Sequence, residues 1–142
     1  MLGAPSEGVP APNAERLNSL TSCIIKSAIE IHRAFGPGLL ESAYVACLKR
    51  DLMDAQIPVK AQQAIPLVYR NLRISCAYRA DLVVDGCVLV EVKAIEVCLP
   101  IHSQQLYTYL RLGNYPVGLL LNFGAGTMKA GIRRMVNHFP DK

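Results

Sequence analysis

The chain has 142 residues, with 15 Lys and Arg against 11 Asp and Glu, a net charge of +4 and 51% apolar side chains. That length suits one domain around one core, and that apolar fraction excludes a wholly disordered chain. The longest apolar runs, such as Val117–Phe123, are far too short to cross a bilayer, so no membrane role is expected.

The positive charge suits a polyanionic partner, although many proteins without one are as basic. No charged stretch precedes an apolar one at the N-terminus, so a cytoplasmic protein without a secretory signal is expected. Cys23, Cys47, Cys76, Cys87 and Cys98 are scattered, with no CxxC pair. They are expected to be reduced and mostly core-filling, not zinc or iron–sulfur ligands.

Residues 1–12 are rich in Pro, Gly and Ala and predict a flexible tail, which leaves a domain over 13–142. Leu20, Ile24, Ala28, Ile31 and Phe35 recur at three- and four-residue steps and predict a helix from Asn18 to Phe35. Gly36-Pro37-Gly38 ends it, and a second helix follows over Leu39–Ala55, forming a helical hairpin. Val59–Tyr69 and Leu72–Val84 are rich in β-branched and aromatic residues and read as strands. Asp85-Gly86 is a hairpin-turn signal, and Cys87–Ala94 is the next strand. A helix over Ser103–Leu112, a buried strand over Val117–Phe123 and a last helix over Met128–His138 complete the order α-α-β-β-β-α-β-α. Three strands joined by short turns make an antiparallel meander. The helix at 103–112 is then a crossover that sets 117–123 parallel to 87–94. The fold class is α/β, a mixed sheet flanked by helices.

Within Val88–Lys93, alternation puts Glu91 and Lys93 on one face and Val90 and Val92 on the other. A strand apolar on both sides belongs inside its sheet, where an unpaired ion costs about several kcal/mol and needs a partner or a metal. Asp81 lies on the preceding strand near the start of the hairpin, so a modest stagger or bulge would bring it to Glu91 and Lys93. Two carboxylates can hold Mg²⁺ or Mn²⁺ through oxygen, and the lysine can serve the attacking water and offset developing charge. The alternative is a Glu91–Lys93 ion pair on a solvated edge strand. His102 and Gln105 open the following helix, whose N-terminus favours phosphate, and Gln105 shares a face with Tyr109. His102 could touch a phosphate or be a solvated loop residue, and Tyr109 could be core. Arg79 shares a face with Asp81 if the strand is regular. Lys129, Arg133 and Arg134 on the last helix could track phosphates or be a solvated face.

Asp81, Glu91-x-Lys93 and Gln105-x-x-x-Tyr109 together resemble the RecB-like branch of the PD-(D/E)xK nuclease superfamily. Gly38-Leu39-Leu40-Glu41-Ser42-Ala43-Tyr44 is similar to the signature of its GxxExxY family. Ile31–Gly38, Tyr78–Leu82 and Leu121-Asn122-Phe123 fit the same family. The resemblance spans about Asn18 to Asn137. It implies a restriction-endonuclease-like fold and a nuclease that uses Mg²⁺ or Mn²⁺ to hydrolyse phosphodiester bonds, in DNA ahead of RNA. Asp81 and Glu91 would ligate the metal with the Val92 carbonyl, Lys93 would serve the water, and Gln105 would position lysine, phosphate or water. Tyr109 would pack or contact backbone. Glu41 resembles an extra helical acid near the metal, but with Gly38 as N-cap it would sit third in its helix and satisfy free N–H groups there. The rival from another class is a regulatory module that binds nucleic acid or protein, keeps the fold and turns nothing over. A domain this small also suits a homo-oligomer or a protein partner.

Overall fold

The computed structural model describes residues 11–141. Most of the expected tail therefore lies outside the described residues, and Ala11 and Pro12 have no regular structure. Helix α1 spans Ala14–Phe35 and α2 spans Glu41–Asp54. Strands β1 (Val59–Tyr69), β2 (Leu72–Val84) and β3 (Val88–Lys93) follow, then α3 (Pro100–Gly113) and β4 (Val117–Asn122). The chain closes with a single 3-10 turn at Lys129–Gly131 and β5 at Ile132–Val136.

The five strands lie in sequence order, β1-β2-β3-β4-β5. β3 and β4 are parallel and every other neighbouring pair is antiparallel, so the meander and the crossover are as the sequence predicts. Helices cover both faces of this mixed α/β sheet. α1 and α2 pack on Leu82, Val84, Val90, Val92, Leu119 and Leu121, and α3 packs on Val83, Leu89 and Leu120 from the other side. Gly118 lets α3 lie close: a Cβ there would meet Leu110 Cδ2 at 2.9 Å and Leu106 Cδ1 at 3.0 Å.

The last element corrects the predicted helix at Met128–His138. β4 is buried along its whole length, so its outer edge needs backbone partners. β5 supplies them, pairing from Val117↔Val136 to Leu121↔Ile132, and this tertiary demand overrides the helical spacing of Met128, Ile132 and Met135. The expected Lys129, Arg133 and Arg134 strip does not form. Arg133 donates to the carbonyls of Ala130 and Ile132, while Arg134 bonds Asn18 Oδ1 on α1.

Two helix starts also fall earlier than predicted, each for a capping reason. The Asn13 side chain accepts from Arg16 N at 2.8 Å and opens α1, and Pro100 occupies the first turn of α3, where its missing N–H costs nothing. Among the described residues no helix is long and apolar enough to cross a membrane. The five cysteines are free thiols.

The α1–α2 connection is tied by Tyr44. Its buried hydroxyl accepts from Gly38 N at 3.0 Å and Leu39 N at 3.1 Å and donates to the Gly36 carbonyl, while its ring stacks on Phe123 at 4.2 Å. Tyr44→Phe leaves these backbone groups short of a partner and should lower unfolding free energy by about 1–3 kcal/mol in a urea titration. An unchanged midpoint would show that water replaces the hydroxyl without cost.

Candidate active site

The site forms where the β2–β3 ladder opens. Cross-strand partners run Val84↔Val88, Val83↔Leu89 and Leu82↔Val90, and the next position faces Asp81 to Glu91. The turn that sets this register holds Asp85, Gly86 and Cys87, one residue more than the two-residue turn the sequence suggests. Asp85 and Gly86 take φ of 51° and 68°, and Cys87 N closes onto the Val84 carbonyl. β3 accordingly starts at Val88 and not at Cys87. A one-residue change of register turns a strand's side chains over, so the third turn residue supplies the shift that brings the acids together.

At Asp81 and Glu91 carboxylates replace the backbone ladder. Val92 N donates to Asp81 Oδ2 at 2.8 Å, and Asp81 N donates to Glu91 Oε1 at 3.2 Å. Each acid thus holds the other strand's amide. The N–H and C=O of one strand residue point to the same side, so the Val92 carbonyl opens into the same gap as the Asp81 carboxylate. The Lys93 carbonyl faces the other way, where it accepts from Phe123 N at 2.8 Å.

Opposite Asp81 on β1 the ladder is also irregular. Gln62 takes a φ of 54°, and no partner pair forms between Ala61↔Leu82 and Gln63↔Ala80. Burial raises the Asp81 pKa and a hydrogen bond from the Gln62 side chain opposes that rise, while the Gln62 carbonyl accepts from Arg79 Nη1 at 3.4 Å. The exposed Arg79 guanidinium therefore turns to β1, not onto the acid.

Glu91 is 3% exposed and receives a short hydrogen bond from the Tyr78 hydroxyl. Tyr78 stacks on Tyr109 of α3 with ring centroids 3.7 Å apart, so Tyr109 supports the site at one remove. Burial pushes the Glu91 pKa up to about 7. The Tyr78 hydroxyl opposes the rise, the Asp81 charge adds to it, and Lys93 pulls it down. Burial likewise raises Asp81; the Val92 amide and Lys93 hold it down, and repulsion from Glu41 pushes it up. Tyr78 is itself raised, by burial first and then by Glu91.

The structure therefore brings Glu91, Lys93 and Glu41 within electrostatic reach of Asp81, and Lys93 within reach of Glu91. Glu41 is the first residue of α2, after Leu40 as N-cap, and not the third after Gly38. Two other predicted residues stand apart. His102 Nδ1 accepts from Leu99 N at 3.0 Å and so caps α3, and Gln105 is exposed on α3 with no side-chain hydrogen bond among the described residues.

Sequence reasoning passed over Tyr78, Gln62 and Asn122. Tyr78 opened the family-like stretch Tyr78–Leu82 without a role, and Gln62 gave no signal beyond its place beside Asp81 in the sheet. Buried Asn122 lay in the family-like stretch Leu121–Phe123, also without a role: its Oδ1 accepts from Ile95 N and Gly124 N, both at 3.0 Å, and fixes the chain just after Lys93.

Among the described residues no three Asp, Glu, His or Cys side chains are already gathered as a metal cage. The donor set still fits a hard cation. Two carboxylates and a carbonyl meet with no thiol or imidazole beside them, which suits Mg²⁺ or Mn²⁺ over zinc. Each carboxylate oxygen also keeps a lone pair beyond the bonds described.

A mixed sheet with helices on both faces, and two acids and a lysine where its ladder opens, defines a restriction-endonuclease-like fold. The model of the PD-(D/E)XK nuclease superfamily matches residues 18–135, and the chain belongs to that superfamily. No curated protein and no solved structure matches it.

Because the fold raises Glu91 from its ordinary 4.5 to about 7, the folded chain keeps a proton that the unfolded chain has released between those values. This contribution to stability is whole below the unfolded pKa and is lost as pH rises through the folded one. With EDTA present, the melting temperature should fall from about pH 5 to about pH 8, and Glu91→Gln should flatten that fall. Equal slopes in the two proteins would contradict the assignment.

Proposed function

We propose that residues 13–142 act as a nuclease that hydrolyses phosphodiester bonds in DNA, with RNA a poorer substrate, and that the activity depends on Mg²⁺ or Mn²⁺. The reading rests on one observation above the others: Asp81 and Glu91 face each other across an opened ladder with the Val92 carbonyl in the same gap and Lys93 on the Glu91 face. Within the superfamily, the motif at Gly38–Tyr44 supports placement in the GxxExxY family, on the RecB-like side.

Asp81, Glu91 and the Val92 carbonyl would hold the cation, with Glu41 approaching from α2. When bound, the cation polarises the scissile phosphate and acidifies water. Tyr78 keeps the Glu91 carboxylate in one orientation, so that group needs little rearrangement to serve as a ligand. Lys93 Nζ orients the attacking water and offsets negative charge that grows on the phosphate oxygens. Gln105, exposed one turn before Tyr109, is free to turn toward that water or a phosphate. Arg79, exposed two residues before Asp81 on β2, and the remaining ring nitrogen of His102 on α3 are candidates for further phosphate contacts.

Labelled DNA incubated with Mn²⁺ should be cleaved. Asp81→Ala and Lys93→Ala should each lower the rate by about a hundredfold or more, with both variants folded by circular dichroism. Undiminished cleavage by both would remove the mechanism. If the wild type binds nucleic acid without cutting any, the domain is a binding module.

A further inference from the structure

The outer half of the β1–β2 hairpin has no place in the site or the core. β2 pairs with β3 only through Leu82–Val84, so beyond Ile65↔Tyr78 the two strands stand alone as a ribbon. The five residue steps from Ile65 to the tip at Arg70 give it a reach of about 16 Å. From Val68 to Ala77 every residue is exposed, including Tyr69 at 60% and Leu72 at 57%.

Its chemistry is one-sided. Residues 55–80 carry Lys60, Arg70, Arg73 and Arg79 and not one acid. Across the strands Tyr69 pairs with Leu72 and Leu67 with Ile74, which puts these four apolar side chains on one face; Val68 and Arg73 share the other. Arg70 holds the tip with a φ of 53° and lies over the Tyr69 ring at 5.2 Å. Turns favour glycine or asparagine at such an angle, and Asn71 is the next residue, so the chain keeps a cation at the tip against backbone preference. Where the ribbon leaves the body, β2 sets Ser75, Cys76 and Ala77 against Pro66 alone, a bulge that bends the ribbon.

The ribbon is also continuous with the site. Its root residue Tyr78 bonds Glu91, and Arg79 and Asp81 follow directly on the same strand. Nucleic acid crossing the acids would have the ribbon alongside it.

We infer that the β1–β2 ribbon is a groove clamp for double-stranded DNA, and that the preferred substrate is therefore duplex. A two-stranded ribbon fits the B-form major groove, about 12 Å wide, and not the deep, narrow major groove of A-form RNA. Arg70 and Arg73 meet the flanking phosphates, and the apolar face lies against base edges and sugars. The inference deepens the nuclease reading and rests on its placing of nucleic acid at Asp81 and Glu91.

The experiment is fluorescence anisotropy in EDTA, where nothing is cut, with one labelled sequence as DNA duplex, single strand and RNA duplex. Arg70→Ala/Arg73→Ala should weaken DNA-duplex binding about tenfold and lower its salt slope by about two, and should leave single-strand binding and thermal melting unchanged. Arg70→Glu/Arg73→Glu should weaken the duplex further. Unchanged duplex affinity, an equal loss on single strands, or equal affinity for RNA duplex would overturn the inference. So would a wild-type dimer in sedimentation that Leu72→Ser/Ile74→Ser dissociates, since a second copy would then cover the ribbon. Failure of the nuclease reading looks different: ribbon-dependent duplex binding would persist while no nucleic acid is cut with Mn²⁺. Cleavage together with unaltered binding by the arginine variants would remove the clamp alone.

Discussion

Two carboxylates doing the work of backbone carbonyls are the constraint from which the rest of the site follows. Antiparallel strands normally satisfy their amides with each other. At Asp81 and Glu91 they part, and each acid takes the amide of the opposite strand. The exchange gives both amides an acceptor while it collects negative charge in a space that burial makes hostile to it. Raised pKa values at both acids are the direct result. A cation relieves that repulsion and a proton can substitute for one, so metal affinity and acidity at this gap oppose each other.

The remainder of the fold holds the gap in shape. Tyr78 fixes Glu91 and leans on Tyr109, which ties the second acid to α3. Tyr44 fastens the α1–α2 turn and stacks on Phe123, which follows directly after Asn122, the strand partner of Lys93. The N-terminus of α2, with Glu41 as its first residue, is thereby tied to the strand ends that carry the lysine. Motifs far apart in sequence, Gly38–Tyr44 and Leu121–Phe123, turn out to be two halves of one contact.

Much of this was legible in the residues. β1 and β2 follow their β-branched and aromatic content to the residue, and the ExK triplet stands out because ions in an apolar strand need a reason. Local pattern failed where a distant partner decided. The stretch after Met128 has helical spacing but becomes a strand, because the bare edge of β4 lies next to it. Asp85-Gly86 announced a turn but not its length, and one added residue decides whether Asp81 meets Glu91 or turns away. Tyr78, though in a family-like stretch, and Gln62 were given no role, since their roles come from cross-strand neighbours that only the register defines. His102, open in sequence to a phosphate contact or a solvated loop, also caps α3, because the local Leu99 amide lies within reach of its Nδ1.

The most direct measurement of the central claim is anomalous diffraction from crystals soaked in Mn²⁺. The account predicts one peak between the Asp81 and Glu91 carboxylates and within about 2.0–2.6 Å of the Val92 carbonyl, the range for hard cations with oxygen ligands. A peak elsewhere, or none with the two acids still holding the opposite amides, would contradict it.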